Sequence, residues 1–324
     1  MLRYFLRRTG QALTVLWLAY TASYALLYLI PLDPISVRLA DPDNPVSPED
    51  SAKILAYYGL DRSAWEQYAD ALNRLLHGDL GYSLVSGETV THLLASAFPS
   101  TLKLTGLGVV FALLLALAIV STVALTRWKA LRHFLELLPS LFVSVPMFWL
   151  GLIVIQVFSF RLGLFVAVDD QAASSLVFAA LAMALPVSAP LAAVLMASVQ
   201  AVYKEPFVAV LKTKGVGAFG IYARHVLRNC LMPVLTVLGL TIGELVAGAV
   251  VTETIFSRPG LGFLTERSVA NQDLPVIQAV VLIAAFVFVT FNWLVDVLHP
   301  IVDPRERAAR SATRPAAAPK VIAS

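Results

Sequence analysis

The sequence predicts an all-α polytopic membrane protein with six transmembrane helices. Three observations carry this: 58% of the residues are hydrophobic, only 14% are charged, and the charges gather between long apolar runs. Soluble domains are about 45–50% apolar and about 25% charged. Charge-free runs cover Thr9–Leu32, Leu104–Thr126, Leu137–Phe160, Gln171–Tyr203 and Leu274–Val295, and a sixth, Asn229–Thr252, is interrupted only by Glu244. Each has the roughly 20 residues a helix needs to cross the hydrocarbon core. Lipid offers no partners to backbone N–H and C=O groups, so helices are expected, and the alternation of barrel strands is absent.

An even number of spans puts both termini on one side, and Lys and Arg choose that side. Arg3, Arg7 and Arg8 precede the first run; Arg127, Lys129 and Arg132 follow the second. Lys204, Lys212, Lys214, Arg224 and Arg228 follow the fourth, and Arg305, Arg307, Arg310, Arg314 and Lys320 lie in the tail. These are sixteen of the 24 basic residues, and the positive-inside rule makes their face cytoplasmic. The start, "MLRYFLRRTG", resembles a signal-peptide n-region. The apolar stretch after it is too long for an h-region and lacks a small-residue cleavage pattern, so a retained anchor is expected.

The opposite loop, Asp33–Phe98, has four basic and ten acidic residues and the turn signals "DPDNP" and "HGDLG". It is expected to be a small external domain. The chain then divides into an N-terminal segment with the first span (1–31), an external loop domain (32–98) and a core of five spans (99–300). A Pro/Ala-rich cytoplasmic tail (301–324) is expected to be disordered.

Several chemistries are excluded or unsupported. No G-x-x-x-x-G-K-[ST] loop is present, so the chain is not expected to hydrolyse ATP and is not read as an enzyme. The five histidines form no metal-ligand spacing, and one cysteine, Cys230, permits no internal disulfide. No metal or catalytic residues are assigned. The basic residues flank apolar runs instead of forming a nucleic-acid patch.

The segment "KTKGVGAFGIYARHVLRN", Lys212–Asn229, carries five basic residues and no acidic one between two very apolar stretches. The loop 204–228 reads as two short helices around a break. Pro206 suits a first helical turn, and Gly215 and Gly217 permit a tight turn. From Phe219, the positions Phe219, Tyr222, Ala223, Val226 and Leu227 follow a helical apolar pattern, with Arg224, His225 and Arg228 opposite. Charge alone would be explained by topology; the ordered amphipathic pattern favours a docking surface.

The stretch "KTKGVGAFGIYARHVLRNCLMPVLTVLGLTIGELVAGAVVTETIFSRPGLG" resembles the EAA-loop region of ATP-binding-cassette importer permeases of the dipeptide/oligopeptide/nickel group. Gly215, "RHVLRN" and Pro233 fall at that family's spacing, and "DLPVIQAVVLIAAFVFVTFNWLVD" and "VDPR" match it further on. Upstream, "HGDLGYSLVSGETVTHLLASAFPSTLKL" and "IPLDP" are similar too, the latter with Leu32 where the family has glycine. The resemblance implies a type I importer permease fold with a cytoplasmic coupling helix between the fourth and fifth spans, here Phe207–Gly220. Phe207, Lys212, Lys214, Gly215 and Phe219 are the expected coupling residues. The family often reads R-T-A-R-A-K-G where this chain has "AVLKTKG", which shifts docking towards Lys212, Lys214 and apolar contacts.

The resemblance further implies a second, homologous permease subunit (a heterodimer), two ATPase subunits that bind ATP and Mg, and an extracytoplasmic solute-binding protein. No cofactor is expected in this chain. The setting would be a bacterial or archaeal cytoplasmic membrane, and the solute a di- or oligopeptide, with nickel, metal–opine complexes and glutathione as alternatives. A self-sufficient channel or ion-coupled carrier is the competing class, but internal repeats and several buried ionisable groups are not evident.

Three further features are singled out. Glu244 is expected to avoid lipid by facing the bundle interior, pairing with a neighbouring subunit or being protonated, and is read as lining the solute path or pairing two helices. The turn containing Arg258, Pro259 and Gly260 is read as either a plain external loop or a re-entrant gate. Gly239 and Gly243 form a G-x-x-x-G that suits close packing, within the chain or with a second subunit.

Overall fold

The computed structural model describes residues 2–28, 57–58, 62–167 and 173–302. Most of the loop from residue 29 to 61 and the tail beyond 302, including "IPLDP", "DPDNP" and all of "VDPR" after its valine, lie outside the described residues. Among those described, regular structure is helical apart from one antiparallel bridge between Tyr82 and Thr89. In chain order the helices are α1 (Leu2–Tyr28), α2 (Ala64–Leu76), α3 (Val90–Leu125), α4 (Lys129–Ser144) and α5 (Met147–Val154). A π-helical turn, Ile155–Arg161, continues α5. Then come α6 (Ala173–Tyr203), α7 (Pro206–Thr213), α8 (Ala218–Ile221), a second π-helical turn (Tyr222–Val226) and α9 (Leu227–Asn229). Last are α10 (Leu231–Ile255), α11 (Leu261–Ala270) and α12 (Leu274–Val302).

Four helices among the described residues are long and apolar enough to cross a membrane: α3, α6, α10 and α12. A fifth is reached if α4 and the α5–π helix count as one broken span. The run Leu137–Phe160, expected as one span, is broken in the structure, and its two halves meet at 103°. Pro146 causes the break: it lacks an N–H and pushes Val145 out of the helical region, to φ −95° and ψ 122°. α1 has 27 residues but is less apolar than the four, with Tyr, Thr and Ser spread through its second half.

α6 is the central helix. Its most apolar stretch is 56% buried, against 33–39% for the other spans, and it packs on α3, α4, α5 and α10. Ala179, Ala180, Ala182, Ala184, Ala189 and Ala192 are all buried along it. Such small side chains let neighbouring backbones approach, which is how helices associate where lipid removes the hydrophobic drive. α12 packs against α1, α10, α11 and α3. Gly239 and Gly243 serve this packing within the chain: a Cβ on Gly243 would lie 3.1 Å from the Phe288 ring of α12.

α3 sets the distance between the two polar ends of the molecule. Its 36 residues make about 54 Å of helix at 1.5 Å per residue, against a hydrocarbon core of about 30 Å. Near its start, Val90, Leu94 and Ala97 pack with Leu261 of α11 and Val276, Ala279 and Val280 of α12. Near its far end, the Ser121 hydroxyl and the Tyr222 phenol are hydrogen bonded at 2.8 Å. The segment Pro206–Asn229 and the turn Phe256–Gly260 thus sit at opposite ends of the bundle.

Candidate functional site

At one end, α7 to α9 form a folded, mostly exposed unit. Glu205 precedes α7 in extended conformation and Pro206 opens it, where its missing N–H costs nothing. The helix stops in a Schellman motif: Gly215 N–H donates to Lys212 C=O at 3.0 Å, and Val216 N–H to Leu211 C=O at 3.1 Å. Gly215 has φ +77°, in the left-handed region that glycine enters without strain. Val216 and Leu211 pack on the core beside each other in that motif.

Val208, Ile221, Tyr222, Val226 and Cys230 are buried and anchor the unit. The apolar face expected from Phe219 onward is corrected in part. The π-helical turn at Tyr222–Val226 lengthens the repeat, so the buried positions are Ile221, Tyr222, Val226 and Cys230, and Phe219 is 70% exposed. Phe207, Val210, Lys212, Lys214, Arg224 and Arg228 are exposed as well. All five expected coupling residues therefore lie on one exposed unit, with its apolar and basic side chains free to meet a partner.

At the opposite end, Glu253 is fully buried in the last turn of α10. One carboxylate oxygen accepts a hydrogen bond from Thr101 Oγ1 at 2.6 Å; the other accepts from the Gly262 N–H at 2.7 Å and the Phe263 N–H at 3.4 Å. Thr101 Oγ1 in turn accepts the Leu261 N–H at 2.7 Å. The chain turns back between α10 and α11 with Ser257 at φ +51°, and the Arg258 N–H donates to the Glu253 C=O at 2.8 Å. Of the three expected gate residues, Arg258 and Gly260 are buried and Pro259 is exposed.

A second buried acid lies nearby. Asp273 accepts hydrogen bonds from Ser83 Oγ and from the Leu84 N–H at 3.1 Å, and so ties the segment before α3 to the start of α12. Burial pushes its carboxyl above the usual aspartate range, against the pull of these hydrogen bonds.

Comparison with known proteins decides the family. Residues 108–308 match the family described as "Binding-protein-dependent transport system inner membrane component", and residues 1–105 match its N-terminal counterpart. The chain belongs to this permease family. It is 32% identical over 338 residues to the di/tripeptide transport system permease protein DppB of Pseudomonas aeruginosa (strain UCBPP-PA14), covering 96% of this chain and 100% of that one. It is 31% identical over 338 residues to the dipeptide transport system permease protein DppB of Escherichia coli (strain K12), covering 95% and 99%. Against the glutathione transport system permease protein GsiC of the same strain, identity is 32% over 313 residues, with coverage of 95% and 99%.

As a member of this family the permease is a multi-pass inner membrane protein. Glu244 does not turn into its core: the residue is exposed on α10, while Leu245, Gly248 and Ala249 on the other face are buried. Within this chain Glu244 therefore lies at the bundle surface. Glu253, Thr101, Asp273 and Ser83 were missed in the sequence. Glu253 lies one residue past the apolar run that ends at Thr252, where a charge reads as the end of a span. Its partner Thr101 is 152 residues away, so no local spacing links them.

Proposed function

We propose that this permease is the membrane-spanning subunit of an ATP-driven, binding-protein-dependent importer for di- or oligopeptides or a similar small solute such as glutathione. It spans the membrane six times, α1 being the first span and the bent α4–α5 pair the third, with both termini cytoplasmic. It forms the solute path with a second, homologous permease. ATP and Mg are bound by two ATPase subunits, and a solute-binding protein delivers cargo at the end that carries the Phe256–Gly260 turn. Relatives named as peptide and glutathione permeases support the solute class.

The observation that carries the coupling role is the anchored but exposed unit α7–α9. Val208, Tyr222 and Val226 hold it to the bundle, while Phe207, Lys212, Lys214 and Phe219 face outward at its tip. An ATPase cleft that grips this unit would transmit its closure through Tyr222 and Ser121 to α3. Glu244, exposed on α10, faces the second permease or the path between the two, where it favours a cationic group such as a peptide's α-ammonium.

The test is a cysteine at Phe219 in a Cys230→Ser background of the assembled complex. It should cross-link to an ATPase subunit, and a cysteine at exposed Ser257 should label from outside intact cells. No cross-link from position 219 in a complex that still turns over ATP would remove the coupling role. Labelling of position 257 only after the cells are opened would reverse the orientation.

A further inference from the structure

We infer that Glu253 is the positioning residue of the outer gate: it fastens the turn between α10 and α11 to α3, so that the turn, the start of α11 and the outer end of α3 move as one body. The inference rests on the proposal above that this turn lies over the solute path.

Helix α11 has no side-chain cap of its own, because its N-cap is Gly260. Its first N–H groups are satisfied from elsewhere, by Thr101 for Leu261 and by the Glu253 carboxylate for Gly262 and Phe263. A carboxylate at a helix N-terminus is favoured both by these donors and by the helix dipole. The same carboxylate accepts from Thr101, so one buried group joins α3, α10 and α11. The Arg258 N–H donates to the Glu253 C=O at 2.8 Å and adds the middle of the turn to the unit.

Two glycines allow the approach. A Cβ on Gly260 would overlap the Glu253 carboxylate, and one on Gly262 would meet the Val250 backbone. Phe256 is fully buried and stacks on Phe165, which anchors the start of the turn. Segments that open by themselves have few buried contacts and solvent-exposed hydrogen bonds. This turn has the reverse. Lifting it alone would strip a buried carboxylate of its N–H donors within an apolar bundle, which is a costly state. Opening therefore separates this body from its surroundings and leaves the joint intact.

The test uses the full importer complex, carrying Cys230→Ser throughout. Ala97→Cys and Leu261→Cys lie in one buried cluster that packs α3 on α11, and a short, cleavable thiol linker joins them with Glu253 untouched. Solute uptake should stay within about twofold of the unlinked complex, whereas a loss of about tenfold or more, reversed on cleaving the linker, would overturn the one-body gate. Glu253→Leu removes both acceptor oxygens and leaves the α11 N–H groups and Thr101 without their shared partner. Leu261→Cys, at a position only 7% exposed, should then react with an impermeant thiol reagent, and uptake should fall by about tenfold while the ATPase subunits stay bound. Joining positions 97 and 261 should restore uptake. Continued protection of position 261 in Glu253→Leu would refute the positioning role itself. Exposure of position 261 with undiminished uptake would instead remove the turn from the solute path, and with it the gate.

Discussion

Replacing Gly215 tests the coupling unit where its geometry is most demanding. The residue closes α7 at φ +77°, and no atom lies within 4 Å of the site a Cβ would take. Any cost of substitution is therefore backbone strain, not collision. Holding a non-glycine residue in the left-handed region costs about 1–2 kcal/mol, and β-branched side chains are the worst placed there. That shifts the equilibrium between the closed Schellman turn and frayed alternatives by a factor of about 5–30. Asparagine tolerates this region far better. Retention of ATPase subunits during affinity purification, and solute-stimulated hydrolysis in the reconstituted complex, should fall in the order Gly215→Asn, Gly215→Ala, Gly215→Val, with insertion unchanged. Equal impairment by asparagine and valine would refute the reasoning, since it would mean that a contact matters and φ does not. So would a well-inserted Gly215→Val complex with unaltered coupling.

Three further outcomes follow from other positions. Charge reversal at the exposed pair Lys212 and Lys214 should weaken ATPase retention, and more at low salt than at high, because exposed ionic contacts are screened; a loss that does not vary with salt would count against ionic docking. Glu244→Gln keeps shape while removing charge, and should reduce uptake of cationic solutes with the complex intact; unchanged uptake of every solute would remove Glu244 from the path. Asp273 holds its proton more tightly in the folded state than in the unfolded one. Its contribution to stability is then fully present below the ordinary value of about 3.9 and is lost as pH rises through the raised value. Asp273→Asn should flatten that part of the melting-temperature profile of the purified complex, and a profile identical to the parent's would contradict the assignment.

The spans were legible because their signal is composition over about twenty residues, and α3, α6, α10 and α12 coincide with four of the predicted runs. The first helix of the exposed unit was legible for a related reason: Pro206 and Gly215 mark the start and end of α7 by backbone chemistry that does not depend on the rest of the fold. Registers inside the unit were not. The π-helical turn at Tyr222–Val226 changes which side chains are buried, and a 3.6-residue template cannot anticipate an inserted residue. The 103° break between α4 and α5 is half visible, in that Pro146 stands inside the apolar run but a kink and a reversal of direction look alike in sequence. The Glu253 joint was hidden for a different reason. Its partners come from α3, α10 and α11, and only the fold brings a threonine, a glutamate and a helix N-terminus together. Gly260 and Gly262 were visible as turn residues, but their reason, an approach to Glu253 and to the α10 backbone, is tertiary.

The central claim is that this permease moves solute only as a part of an ATP-driven assembly. Uptake of a labelled dipeptide into liposomes tests it most directly, comparing the purified chain alone, under imposed proton and sodium gradients, with the chain reconstituted alongside its second permease, ATPase subunits and binding protein. The account predicts no uptake by the chain alone under any gradient, and uptake by the full assembly that requires ATP inside the compartment corresponding to the coupling face. Gradient-driven uptake by the chain alone would contradict it and establish a self-sufficient carrier.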